Sequence, residues 1–451
     1  ADVYPLAPLQ EGIFFPVATG PQCYATVGSS LPDDGGSAPC SRFRRRCVST
    51  SVVWQGLREP VQVVWRHARL PVEEVVLHEG ADPVEQMMAL AGGWMDLTRA
   101  PLIDVHIAAG PGGDRWLAVL RIHHLVQDHT ALETLLDELQ SFLEGRGGEL
   151  AEPVPFREFV AQARLGVPRE EHERYFAELL GDITETTAPY DLTDVHGDGT
   201  GYDHGALPLD ATVAARVREA ARTLGVSPAT LFHLAWARVL GTLAGRDDVV
   251  FGTVLFGRMN SGAGADRVSG LFINTLPVRV RLGAPTGDAL GDLRDQLAEL
   301  LVHEHASLAS AQKASGLPGG SPLFTSIFNY RHNQVSAERE TAALPGIRVL
   351  AARDSTNYPL TVAVDDDGHG FTLVVEVAST VDAAGVCELL HTAVDNLIAA
   401  LTDRPGGPLA EVDILERGLR DRLLTAWNEA REPAPPVTLP DLFDRQARRT
   451  P

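Results

Sequence analysis

Between Trp116 and Leu143 the hydrophobic period of the chain changes from two residues to about 3.6, and that change constrains the fold most. Trp116, Ala118, Leu120, Ile122 and His124 alternate with Leu117, Val119, Arg121 and His123. This is the pattern of a strand that puts the two groups on opposite faces. After a short turn Leu132, Leu135, Leu136, Leu139 and Leu143 form one stripe, which predicts a helix over about 130–143. Thr130 and Glu133 stand as a capping box at its start. A strand leading directly into an amphipathic helix excludes both a pure bundle and a pure β-sandwich.

The same alternation of elements continues. A charged helix is expected over 170–180. Pro228 to Leu243 reads as a helix with Ser227 as N-cap and Pro228 at the first position, and Val249 to Leu255 as a buried strand. Leu276, Val278, Val280 and Leu282 alternate with Pro277, Arg279 and Arg281, predicting a half-buried strand. Phe371 to Val377 is another strand, and Val386, Leu389, Leu390, Ala393, Val394, Leu397 and Leu401 mark a further helix. The fold class is α/β (α+β).

At 451 residues the chain has room for two or three units. The expected division is an N-terminal lobe over 1–180, a crossover over 181–205, a C-terminal lobe over 206–427 and a linker over 428–451. The crossover is rich in Gly, Asp and Thr without periodicity, and Glu432-Pro433-Ala434-Pro435-Pro436 is a semi-rigid spacer. The chain opens on Ala1 and stops at Thr450-Pro451, so it reads as a segment of a longer polypeptide.

With 38 basic and 60 acidic side chains, the net charge is −22. That surface repels phosphate backbones and anionic bilayers, so neither nucleic acid nor a membrane is an expected partner. No apolar run is expected to reach the roughly 18–20 residues that span a bilayer. Cys23, Cys40, Cys47 and Cys387 have no metal-ligand spacing and are too few for a disulfide framework, which points to the cytoplasm.

The chemistry concentrates at the strand-to-helix turn, in His123-His124-Leu125-Val126-Gln127-Asp128. Only one of two consecutive strand histidines faces a given cavity. A histidine at a strand end is placed for general-base work, because its ordinary pKa lies near neutrality. Asp128 can orient an imidazole or pair with a cation. Two other readings stand beside this one. The histidines can be hydrogen-bonded core residues, or His123, His124, Asp128 and His129 can hold a metal, although adjacent strand histidines diverge.

The His-His-x-x-x-Asp hexapeptide resembles the core motif of the condensation domains of nonribosomal peptide synthetases, within the chloramphenicol acetyltransferase-like superfamily. Other segments resemble that family in the expected order. They are Tyr4-Pro5-Leu6-Ala7-Pro8-Leu9-Gln10-Glu11-Gly12, Asp96-Leu97-Thr98-Arg99-Ala100-Pro101-Leu102, Tyr175-Phe176, Asp248-Val249-Val250-Phe251-Gly252, Gly270-Leu271-Phe272-Ile273-Asn274-Thr275-Leu276-Pro277, Pro322-Leu323-Phe324 and Asn357-Tyr358-Pro359-Leu360. Leu439-Pro440-Asp441-Leu442-Phe443 resembles the entrance to an adenylation domain.

The resemblance implies two acetyltransferase-like lobes meeting in a V around a tunnel. Upstream and downstream peptidyl carrier domains would bring substrates on phosphopantetheine arms from opposite ends, beside an adenylation domain, with no cofactor bound by the chain itself. The acceptor's α-amine would attack the donor thioester. His124 would be the catalytic histidine, with His123 and Asp128 supporting the turn. His129, Asn274, Asn357 and Tyr358 would line the tunnel. For the asparagines and the tyrosine, loop capping and turn formation is an equal reading.

The chain departs from the family in four places. Pro21 to Cys47 does not resemble it, and either a divergent insert or a shifted reading frame accounts for that. Ser49 stands where the family has an arginine that pairs with the motif aspartate, which leaves Asp128 expected to lack its partner. His129 replaces the glycine after the aspartate, and Pro16 a histidine. Three rival functions follow from the same residues: an epimerization domain, a free-standing coenzyme A-dependent acyltransferase, and an inactive scaffold that docks a partner protein. An epimerization domain would need an added glutamate motif, whereas Asp367-Gly368-His369-Gly370 reads as a turn.

Overall fold

A computed structural model describes residues 2–7, 10, 23–29, 51–54, 60–65, 68–91, 95–110, 115–152, 154–195, 201–258, 268–332, 348–353, 358–426 and 437–450. Within them the strands are β1 (Asp2–Pro5), β2 (Cys23–Ser29), β3 (Ser51–Trp54), β4 (Val61–Val64), β5 (Val72–Glu74), β6 (Ile103–Ala109), β7 (Trp116–His123), β8 (Tyr202–Pro208), β9 (Asp248–Leu255), β10 (Asn274–Arg281), β11 (Ser326–His332), β12 (Arg348–Arg353), β13 (Leu360–Asp366) and β14 (Phe371–Ala378). They form three sheets, ordered β1-β4-β3, β12-β2-β7-β6-β5 and β10-β9-β11-β13-β14-β8.

The six-stranded sheet is the floor of the larger core. Helices Ala211–Leu224, Pro228–Ala244, Thr286–Val302 and Ala383–Asp403 pack with it. Ser227 caps Pro228–Ala244, its Oγ accepting from Thr230 N–H at 3.2 Å. Leu231, Phe232, Leu234, Trp236, Val239 and Leu240 are all buried, so this helix is apolar on every side, as a central core helix must be. Helix Ala383–Asp403 is long and apolar enough, by length and composition alone, to cross a membrane. Here nine of its residues, from Ala383 to Leu401, are buried in the core of this lobe.

β10 departs from the expected half-buried pattern. Every residue from Asn274 to Val280 is buried, including Arg279. The Arg279 guanidinium is buried because Asp248 and Asp182 both pair with it, so its charge is compensated.

Some pairing and packing crosses the expected lobe bounds. β12 lies in the second half of the chain, yet it pairs antiparallel with β2 in the five-stranded sheet, Arg353 opposite Ala25. Helix Arg169–Leu180 lies before the expected crossover, but its Phe176 and Leu180 belong to the large core of the six-stranded sheet. The crossover itself is partly packed: Thr187 forms a parallel bridge with Phe324, and Ile183 and Pro189 are buried. Amphipathic spacing shows which face of an element is apolar, but not which core receives it.

Within the stretch Pro21 to Cys47, residues 23–29 form an ordinary central strand. β2 runs antiparallel to β7 with Cys23 opposite His123. The remainder of that stretch, with Ser49 and Pro16, lies outside the described residues. Asp367-Gly368-His369-Gly370 is a turn, its Asp367 carboxylate accepting from the His369 and Gly370 backbone N–H groups.

Candidate active site

β7 ends at His123, so His124 belongs to the turn that follows and not to the strand. The turn is pinned at each side. His123 N–H donates to Leu102 O at 3.0 Å, and Val126 N–H donates back to His123 O at 3.1 Å. The His123 ring is 1% exposed, and its Nδ1 accepts from Leu125 N–H at 3.0 Å. An accepting Nδ1 leaves the ring proton on Nε2. Burial, reinforced by neighbouring His124, pushes the His123 pKa down to about 3. His123 is therefore a neutral bracket of the turn near pH 7.

Asp128 closes the turn and opens helix His129–Leu143. The expected capping box at Thr130 is displaced by two residues, because Asp128 is the N-cap and its Oδ1 accepts from Ala131 N–H at 2.9 Å. The same Oδ1 accepts from Arg258 Nη2 at 2.8 Å, and Oδ2 accepts from Phe272 N–H at 3.0 Å. Asp128 is 1% exposed and Arg258 is 6% exposed, so this is a buried ion pair.

The expectation that Asp128 lacks a partner is thus corrected. The charge is met by Arg258, on the loop after β9, rather than by a residue at position 49. Arg258 is held in turn by the Val268 carbonyl at 3.1 Å and stacks over the Phe272 ring at 3.9 Å. Gly257 lets this loop reach the motif. It sits at φ +70, and a Cβ there would lie 1.9 Å from Phe272 O.

Gln10, from the opening motif, holds the other flank of the turn and is buried. Its Nε2 donates to Leu125 O at 2.7 Å and to Gln62 Oε1 at 3.0 Å, while its Oε1 accepts from Ala7 N–H at 2.8 Å. Sequence reasoning passed over Gln10, Gln62, Gly257 and Arg258 as site residues. A glutamine and an arginine inside otherwise apolar runs were the available signals.

Of the remaining sequence candidates, Asn274 lies at the start of β10 with its side chain committed to the fold. Its Nδ2 donates to Glu304 O and Ala306 O, both at 2.7 Å, and its Oδ1 accepts from Thr275 N–H at 3.0 Å. Ala7, Phe159, Phe272, Asn274, Glu304 and His305 line a small depression between the lobes that has no room for a water-sized molecule. Tyr358 stacks on Phe324, with ring centroids 5.8 Å apart, and burial raises its pKa. His129 is the first residue of its helix, and its side chain lies outside the described residues, as does Asn357. Among the described residues no group of three or more His, Cys, Asp or Glu could hold a metal ion.

Two sheet-based lobes, locked together at the motif aspartate, define an acetyltransferase-like architecture. Comparison with known proteins specifies it further. The Condensation domain family matches residues 49–424, and the chain belongs to that family, the amide-forming domains of nonribosomal peptide synthetases. It is 38% identical to Malpinin synthetase of Mortierella alpina over 465 residues, covering 100% of this chain and 6% of that protein. Malpibaldin synthetase of the same organism is 38% identical over 468 residues, and the chain spans 8% of its length. A four-domain nonribosomal peptide synthetase crystallised in holo form with AMP and glycine shares the fold, with a TM-score of 0.75 at 15% identity over 92% of this chain and 34% of that one.

Proposed function

We propose that this chain joins a donor acyl or peptidyl thioester to the α-amine of an acceptor aminoacyl thioester, with His124 as the residue that meets the amine. Both substrates would arrive on phosphopantetheine arms of flanking carrier domains, in the cytoplasm, beside an adenylation domain. The observation that carries the reading is the division of labour in the turn. His123 is kept neutral and bonded to the backbone, and Asp128 is consumed by a cap, an arginine and a backbone N–H. His124 lies between them in the turn and is partly exposed.

In the reaction the amine nitrogen attacks the thioester carbonyl, the new C–N bond forms and the C–S bond breaks. His124 accepts or orients an amine proton, which ends on the departing thiolate. The scaffold reading drew its support from the missing arginine and from His129, and Arg258 removes the first of these grounds. Tyr358 and His129 enter this proposal as tunnel-lining residues, with Asn357 beside them, whereas Asn274 supports the turn at 304–306.

The test is a reconstituted assay with loaded donor and acceptor carriers, reading the tethered product by mass spectrometry. Wild type is expected to form the amide and His124→Ala to lose at least about a hundredfold in rate, the scale of general acid–base assistance. An His124→Ala chain that condenses at the wild-type rate refutes the assignment.

A further inference from the structure

Phe272 meets the motif twice. Its backbone N–H donates to Asp128 Oδ2 at 3.0 Å, and its ring carries the Arg258 guanidinium, Cζ lying 3.9 Å from the ring centroid. A ring orients a cation only as firmly as the ring itself is held. Phe272 is held by a second aromatic layer from helix Phe156–Leu165: the Phe159 centroid is 4.2 Å away at 37°, and Phe156 meets it edge-on at 5.5 Å. Phe159 is braced in turn by the edge of His305 at 5.4 Å.

This helix underlies both supports of Arg258. Phe156, Phe159 and Val160 share a buried cluster with Ala7, Val268 and Phe272, and Val268 is the residue whose carbonyl accepts from Arg258 Nη1. The approach is close, since a Cβ at Gly270 would lie 2.1 Å from the Phe156 ring. The helix is also tied to the opening of the chain, Arg164 Nε donating to Leu6 O at 3.2 Å. Phe159 is 5% exposed, and the depression it lines has no room for a water-sized molecule, so it touches no substrate.

We propose that Phe159 is a positioning residue for the reaction: it holds the Phe272 ring, and through it the Arg258 guanidinium, in register with Asp128, which fixes the turn of His124. This rests on the condensation reading above. Phe159 takes no part in making or breaking bonds. Without its ring Phe272 and Arg258 sample other orientations, and the fraction of chains with a competent turn falls. Such a loss appears in kcat, while the carriers bind as before.

The experiment assays the full chain with loaded carriers, comparing wild type, Phe159→Leu and Phe159→Tyr, each also in an Arg258→Lys background. Lysine keeps a charge for Asp128 but loses the planar stack. Phe159→Leu is expected to lower kcat about tenfold, the upper end of what one aromatic pair contributes, with KM for both carriers within about twofold of wild type. Phe159→Tyr retains the ring and most of the activity. In the Arg258→Lys background the leucine substitution changes kcat by less than about twofold, because the stack it supported is already gone. Phe159→Met, which fills similar space without a ring, reads the same quantities where the leucine variant does not fold. Urea denaturation of the four chains of the cycle gives the coupling between Phe159 and Arg258 without need of activity.

An unaltered kcat in Phe159→Leu overturns the proposal, as does an equal loss in both backgrounds, which marks general packing. A raised KM with kcat unchanged also overturns it, since it marks a substrate contact. Additive stabilities in the cycle do the same. Wild type that yields no product from loaded carriers brings down the condensation reading itself, and the denaturation cycle keeps the two failures distinct.

Discussion

Replacing Arg258 by methionine tests how the second lobe supports the motif. Methionine keeps the length of the side chain and its contact with Phe272, but removes the cation. The Asp128 carboxylate would then be left 1% exposed with two backbone N–H donors and no counter-charge. Removing one partner of a buried pair typically costs about 3–5 kcal/mol, because the remaining charge is uncompensated. Asp128→Asn carries a similar cost by another route: with Oδ1 retained for Ala131, its amide nitrogen faces the Phe272 N–H, donor against donor, and the Arg258 charge stays buried.

The double variant removes both charges at once. It is therefore expected to be less destabilised than the sum of the single variants by about 2–3 kcal/mol. Urea denaturation followed by circular dichroism and tryptophan fluorescence measures all three. Single variants within about 1 kcal/mol of wild type, or a double variant that is simply additive, refute the claim that this buried pair locks the lobes at the motif. Activity should fall in step with the single-variant losses, since Asp128 holds the turn that carries His124.

Three further predictions follow from the same geometry. Gly257→Ala places a Cβ 1.9 Å from Phe272 O at a φ of +70 and should lower stability by at least about 1–3 kcal/mol, measured by the same denaturation; a neutral effect means the loop moves freely. Gln10→Leu strands the Ala7 N–H, the Gln62 Oε1 and the Leu125 carbonyl, and should cost about 2–4 kcal/mol, with activity lost beyond the stability effect when assayed well below the melting temperature.

The third concerns pH. Burial lowers His123 to about 3, and His172 and His233 to about 4, from an ordinary value of 6.5. These histidines take up protons in the unfolded chain before they do in the folded one. Stability is therefore full above about pH 7 and falls as pH drops from 6.5 toward 4. Melting temperature measured across that window should decline on acidification, and a flat profile contradicts the burial of these rings.

The sequence by itself determined much of the secondary structure, the identity of the motif and the family. Each of these is written in short-range signals. The stripe from Leu132 onward, Ser227 ahead of Pro228, and the alternation of Phe371 to Val377 are read within a single element, because helix and strand periods act over a few residues. The histidine turn was legible for the same reason. Even the shift of the cap from Thr130 to Asp128 is a matter of two positions within one turn.

What only the tertiary structure decided is who meets whom. Asp128 finds Arg258 at a separation of 130 residues and Phe272 at 144, and Gln10 finds Leu125 at 115. No local pattern encodes such pairings. Spacing at position 49 therefore suggested an unpaired aspartate, where the fold supplies an arginine from the other lobe. The same holds for β12, which joins the five-stranded sheet only because the chain returns there. Buried charge and amide groups must be satisfied by whatever the fold brings within about 3 Å, and that choice belongs to the packing of the whole chain.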